Sequence, residues 1–260
     1  MKKVASLKYG VVFKKAFCDP EIFTAFVQDM LGLSVTIEHV ETEKEFDPPI
    51  GYITPQFDLF AEDTRHRVVV DIQHARTTDH YDRFLYYHCV ALLEQISSSE
   101  NYRRGLQVFT LVVLTSGDRH KTPISMIDFD PHDLSGKPLH EIPHKILYLC
   151  PKYVSENTPQ PYREWLQAIN DTLDEEVDES QYRRAEIQKL FESIQRDQIS
   201  PEERARMIEE YHQDELQHTA VKEEKWAIAR ALLDKGVNLN IIAEATGVSL
   251  QELAEAEPES

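Results

Sequence analysis

Three cysteines in 260 residues, Cys18, Cys89 and Cys150, are widely spaced and odd in number. That fits reduced thiols better than a disulfide framework or a zinc knuckle. No apolar run reaches the roughly 18 residues that a membrane-spanning helix needs. The N-terminus has no apolar stretch of the signal-peptide kind. A cytoplasmic chain with no membrane partner is therefore expected. Internal repeats and low-complexity tracts are also missing. Basic residues are in short supply, with 28 Lys+Arg against 46 Asp+Glu and a net charge of -18, which argues against a uniformly polyanion-binding surface. The deficit is uneven: residues 1–150 carry 16 basic and 21 acidic side chains (net -5), and residues 151–260 carry 12 and 25 (net -13). Nucleic-acid binding would thus need local basic clusters. Lys14-Lys15, Arg65 with Arg67, Arg103-Arg104 and Arg119-His120-Lys121 are the candidates, although each taken singly reads as a solvated patch.

What is present reads as a globular chain of alternating elements. Residues 11–17 and 20–31 read as helices, the second with Asp19 as N-cap, Pro20 at its first position and Gly32 at its end. Alternation through Val35, Ile37 and Val40 suggests a first strand over 34–43, and Pro48, Pro49 and Gly51 mark a loop. A helix is predicted over 78–99 with a stripe of Leu85, Cys89, Leu92 and Ile96. The run from Leu106 to Thr115 predicts a fully buried strand, and Ile146 to Leu149 one more. Beyond Pro151 come charged helices with sparse apolar positions over 163–173, 181–194 and 201–233, of the kind that is solvated or packs loosely. Two short helices meeting at Thr246-Gly247-Val248 close the chain, with Ser249 and Glu252 as a capping box. A helix-turn-helix is one reading of them. Acidic Glu252, Glu255 and Glu257 would repel phosphates, so a protein-docking cap is preferred. The boundary is expected near residue 155, with a core over 1–155 and an acidic helical region over 156–260.

The chemistry concentrates between Phe57 and Ala75. Two apolar runs flank a polar turn at 63–65, as in a pair of antiparallel strands, and each run carries one aspartate, Asp58 and Asp71. Asp71 sits among β-branched residues, where an ionised carboxylate needs a partner charge, several donors or a metal. Gln73 shares its face. Thirteen positions separate the two aspartates (71 − 58), which suits neighbouring strands joined by a short turn. Two readings follow. Converging carboxylates can bind a hard divalent cation such as Mg²⁺, with Gln73 orienting a water. Alternatively, Asp58 caps a strand end and Asp71 pairs with Arg83 or Arg67. His66, His74, His80 and His88 flank the motif without metal-type spacing, except His74 with His80, and His74 could border a pocket.

The Asp58…Asp71-Ile72-Gln73 pattern, in helix, strand, strand, strand, helix, strand order, resembles the PD-(D/E)XK nuclease superfamily. It is most similar to the Rpn-type recombination-promoting nucleases, also labelled transposases. Further similar stretches are Phe13-Lys14 with Phe17, Arg83 with Tyr86 or Tyr87, Tyr102 leading into 106–115, and Ala229 to Leu233, Gly236 and Ile242 to Gly247 near the C-terminus. The resemblance implies an α/β, restriction-endonuclease-like fold: a mixed central sheet flanked by helices, with an α-helical C-terminal region. It also implies a Mg²⁺-dependent DNA endonuclease, with Mn²⁺ as the alternative ion, linked to recombination or mobile elements. By carry-over, Asp58 and Asp71 are metal ligands and Gln73 stands where the wider superfamily has Lys. Asp71 replaces the commoner Glu of this branch. Lys14, Arg83 and Tyr87 are candidate substrate or phosphate contacts, and the first two could supply the charge that Gln73 lacks. The rival expectation is a weak or inactive nuclease-fold protein that binds nucleic acid, a second copy or a protein partner through its C-terminal helices.

Overall fold

A computed structural model describes residues 1–46, 53–74, 80–95 and 105–255, with backbone alone at positions 217, 218 and 255. The elements run β1 (Lys2–Lys3), α1 (Gly10–Phe17), α2 (Pro20–Leu31), β2 (Glu41–Glu45), β3 (Gln56–Glu62), β4 (His66–Gln73), α3 (His80–Leu93), β5 (Gln107–Leu114), β6 (Ile124–Asp128), β7 (Lys145–Leu149), α4 (Tyr162–Asp171), β8 (Glu176–Val177), α5 (Ala185–Ser193), α6 (Pro201–Leu233), α7 (Leu239–Thr246) and α8 (Leu250–Glu255). Two compact units divide the chain at residues 207 and 208.

In the first unit, six strands form one mixed sheet in the order β2-β3-β4-β5-β7-β6. β4, β5 and β7 are parallel, and the outer pairs are antiparallel. Strand alternation gives the sheet two apolar faces. Leu59, Val68, Val70, Leu111, Val113, Leu147 and Leu149 join the cluster built with α1, α2, α4 and α5. Val69 and Val108 pack with Val90 and Ala91 of α3, and Val112, Leu114, Ile146 and Tyr148 pack with its Phe84. Such double coverage explains why β4 and β5 read as nearly continuous apolar runs. Aromatic rings centre the larger cluster: Phe13 stacks on Phe17 at 4.5 Å, and Phe17 and Phe26 meet Trp165 at 6.2 and 5.3 Å.

α2 starts and stops for local reasons. The Asp19 carboxylate accepts from the Glu21 and Ile22 backbone N–H groups, and Gly32 turns out of the helix at φ 65°. The second unit holds its own apolar cluster of Ala229, Ile242, Val248 and Leu253. There the Ser249–Glu252 capping box forms as expected, with the Glu252 N–H donating to Ser249 Oγ and the Ser249 N–H to Glu252 Oε2, both at 3.2 Å.

Four expectations change, and one strand was not foreseen. Residues 34–40 are not a strand, although Val35, Ile37 and Val40 are buried; Gln28 Nε2 donates to the Val35 carbonyl and the Thr36 N–H to Asp63 Oδ2, so side chains do the work of a ladder. The inward face of α3 is His80, Phe84, His88 and Ala91, while Leu85 is exposed. The helical period was legible there, but two buried histidines read as polar. α4 and α5 are not loosely packed: Trp165, Leu166, Ile169, Ile187, Leu190 and Phe191 are fully buried with Phe13 and Phe17 in one cluster. β6 was not foreseen, because on the sheet edge its residues are only partly buried and carry weak patterning. The compact first unit extends to Met207, beyond the boundary expected near 155. Pro48, Pro49, Gly51, Asp79, Ile96, Tyr102, Arg103, Arg104 and Glu257 lie outside the described residues.

Candidate active site

β3 and β4 pair from Glu62 opposite Arg67 to Leu59 opposite Val70, so continued pairing would set Asp58 opposite Asp71. At that point the carboxylates take over from the ladder. The Asp58 N–H donates to Asp71 Oδ1 at 3.3 Å, and the Ile72 N–H donates to Asp58 Oδ2 at 2.9 Å. On its other side β4 stays paired with β5 through Gln73 opposite Leu114. Val69 belongs to the α3-side cluster and Val70 to the opposite one, so alternation puts Asp71 and Gln73 towards α3.

The two carboxylates differ in environment. The Asp58 side chain is about a quarter exposed, at 25%. Asp71 is 3% exposed, and its Oδ2 is buried with no hydrogen-bond partner among the described residues. Burial, and then the neighbouring Asp58 charge, push the Asp71 carboxyl well above the usual aspartate range. Burial also raises Asp58, against the lowering influence of the Ile72 N–H, Lys14 and Arg83. An unpartnered carboxylate oxygen inside a protein is costly, and a proton or a cation removes the cost.

Cationic groups approach from both layers. Lys14 of α1 places Nζ 3.8 Å from Asp58 Oδ1 and 2.8 Å from Glu43 Oε1. Arg83 of α3 lies over the rings of Phe84 and Tyr87, at 5.1 and 5.2 Å, and its charge is felt by both aspartates. No ion pair joins it to either among the described residues. Tyr87 meets Phe57, the neighbour of Asp58, edge-on at 5.6 Å. Arg67 is engaged elsewhere, with Glu62, Glu94 and the Ala91 carbonyl, so the expected alternative of an Asp71–Arg67 pair is absent. Asp58 does cap the strand opening, through Ile72, while also facing Asp71. The structure thus brings Asp58, Asp71 and Lys14 together, with Gln73 two residues along β4 and Arg83 and Tyr87 on α3.

The histidines disperse. His66 contacts Asp63 and His88 contacts Thr110. His74 Nδ1 lies 2.8 Å from Thr115 Oγ1, just past the ends of β4 and β5. Among the described residues no group of three or more His, Cys, Asp or Glu side chains is arranged to hold a metal. The two aspartates are the carboxylates on offer here, and such a pair would suit an ion that takes few protein oxygens and completes its shell with water or phosphate.

Sequence reasoning missed Glu43, beside Lys14, and a second buried carboxylate past the end of β5, Asp118. Glu43 lies in a run of acidic and basic residues with no patterning to single it out. Asp118 follows β5 and is 6% exposed; it accepts from Tyr81 Oη at 2.7 Å, and its Oδ1 is 3.5 Å from His80 Nε2. Its burial could not be read from the Gly117-Asp118-Arg119 turn.

A six-stranded mixed sheet flanked by helices, with two carboxylates where β3 and β4 part, defines a restriction-endonuclease-like α/β protein. The family model of the PD-(D/E)XK nuclease family transposases matches residues 9–224, and the chain belongs to that family. Neither the curated proteins nor the solved structures contain a significant match. The family makes the function nuclease- or transposase-like. Nucleases of this kind act on DNA and typically use divalent metal ions. Among the described residues no helix is long and apolar enough to cross a membrane.

Proposed function

We propose that the protein is a metal-dependent DNA endonuclease that hydrolyses phosphodiester bonds, in the service of recombination or mobile elements. The observation that carries this reading is the buried, unpartnered Asp71 Oδ2 beside Asp58. Asp58 and Asp71 would hold one Mg²⁺, or Mn²⁺. When bound, such an ion polarises a phosphate oxygen and lowers the pKa of the attacking water. Gln73, on the Asp71 face, orients that water through its amide. Lys14 and Arg83 bring positive charge towards the scissile phosphate, which Gln73 lacks, and the ring of Tyr87 holds Arg83 in place. The burial of Asp71 keeps bulk water from competing for its oxygens.

Nicking of supercoiled plasmid in Mg²⁺ or Mn²⁺ tests the reading. Wild type should cut, and Asp58→Ala and Asp71→Asn should each lose more than roughly a hundredfold in rate. Equal cutting by wild type and both variants at matched purity would refute it. Gln73 in place of a cation supports a second reading, a catalytically weak module that binds nucleic acid or a partner through the C-terminal helices. For that module wild type would also fail to cut.

A further inference from the structure

Glu43 stands out by backbone and by contact. β2 pairs with β3 through Thr42 opposite Leu59 and Lys44 opposite Phe57, so the register puts Glu43 level with Asp58. There its φ is 56°, in the left-handed region that a long, unbranched side chain without a local hydrogen bond of its own rarely adopts. A residue held in that conformation within a ladder is over-determined by its surroundings. Lys14 and Asp58 stand beside it, and the Arg206 charge also reaches the Glu43 carboxylate. Lys14 Nζ lies 2.8 Å from Glu43 Oε1 and 3.8 Å from Asp58 Oδ1, so one ammonium serves a carboxylate on each of two strands. The two carboxylates are not equivalent. The Glu43 side chain is 48% exposed and that of Asp58 25%, while Lys14 is 19% exposed. An anion arriving from solvent meets Glu43 first.

We propose that Glu43 is a positioning residue that holds Lys14 beside Asp58 in the free protein and yields it to a backbone phosphate of the bound nucleic acid. This rests on the nuclease reading above. A carboxylate and a phosphate offer the same anionic oxygens to an ammonium, and Lys14 stays neutralised throughout the exchange, so the hand-over needs no bare buried charge. Glu43 accordingly keeps Lys14 extended towards the site at the expense of affinity, because each phosphate must displace it.

The test is anisotropy of a labelled DNA duplex with the full-length chain, in Ca²⁺ and across a salt series. Glu43→Gln should bind roughly threefold to tenfold more tightly at low salt, with the slope against log salt steeper by about one. Glu45→Gln removes the same charge two residues along β2 without touching an ion pair of Lys14, and its gain should be clearly smaller. With Lys14→Gln in the background, the gain from Glu43→Gln should fall to that of Glu45→Gln. Glu43→Gly relieves the left-handed backbone; it should bind as tightly as Glu43→Gln and melt no lower than wild type, which separates the effect from misfolding. Unchanged or weaker binding by Glu43→Gln, a gain matched by Glu45→Gln, or a gain that survives loss of Lys14 would overturn the proposal while leaving the nuclease reading intact. If no protein of the set binds DNA even at the lowest salt, the nuclease reading fails and the proposal falls with it.

Discussion

His88 shows how a single buried side chain ties this fold to pH. It is fully buried, with Nδ1 2.8 Å from Thr110 Oγ1, Nε2 without a hydrogen-bond partner among the described residues, and Phe129 stacked parallel at 4.9 Å. Burial, with a smaller push from His144, lowers its pKa from 6.5 to about 3. The unfolded chain therefore takes up a proton near pH 6.5 that the folded chain refuses until about pH 3. Stability from this residue is full above 6.5 and is lost as pH falls through that window. Between pH 7 and 5 wild type should lose roughly 2 kcal/mol more than His88→Gln, read from urea unfolding of both proteins. Equal losses would contradict the assignment. At the same scale, Asp71 was singled out because a carboxylate inside a β-branched run is anomalous on its face, and Asp58 by its 13-position spacing from it (71 − 58). Glu43 was not, because its distinction lies in a backbone angle and in a partner 29 residues away (43 − 14). Lys14 entered first as half of the Lys14-Lys15 basic cluster, which taken singly reads as a solvated patch, and only the family resemblance tied it to the two aspartates.

Among the elements, those with strong local signals were readable. Asp19, Pro20 and Gly32 fixed both ends of α2, and the β-branched runs of β4 and β5 announced strands covered on both faces. Elements whose identity depends on tertiary context were misread. Residues 34–40 alternate like a strand yet are satisfied by Gln28 and Asp63 side chains. α4 and α5 carry few apolar positions, but Trp165, Ile169, Leu190 and Phe191 are enough to close the layer over α1 and α2, because large aromatic side chains bury much area from few positions. The parting of β3 from β4 is also a property of the pair. Neither strand alone shows that pairing stops after Leu59 and Val70, where the two aspartates exchange backbone bonds.

At the scale of the molecule, the compact first unit reaches Met207, and an acidic second unit follows. Residues 208–260 carry 4 Lys+Arg and 12 Asp+Glu, net -8 (4 − 12) of the chain's -18. A chain ending at Met207 should unfold cooperatively and bind DNA more tightly at low salt than the full chain, whereas one ending at residue 155 should not fold, having lost Trp165, Ile187 and Phe191 from the core. Circular dichroism melts and the anisotropy titration check both halves, and a folded 1–155 fragment would show that α4 and α5 are dispensable. The central claim is narrower: Asp71 Oδ2 and Asp58 would together hold one divalent cation. The most direct measurement is a crystal of the full chain soaked in Mn²⁺, recorded at a wavelength where Mn²⁺ scatters anomalously. The account predicts one strong anomalous peak in direct contact with Asp71 Oδ2 and an Asp58 carboxylate oxygen, lost in Asp71→Asn. A well-ordered site with no peak there, or a peak that persists in Asp71→Asn, would contradict it.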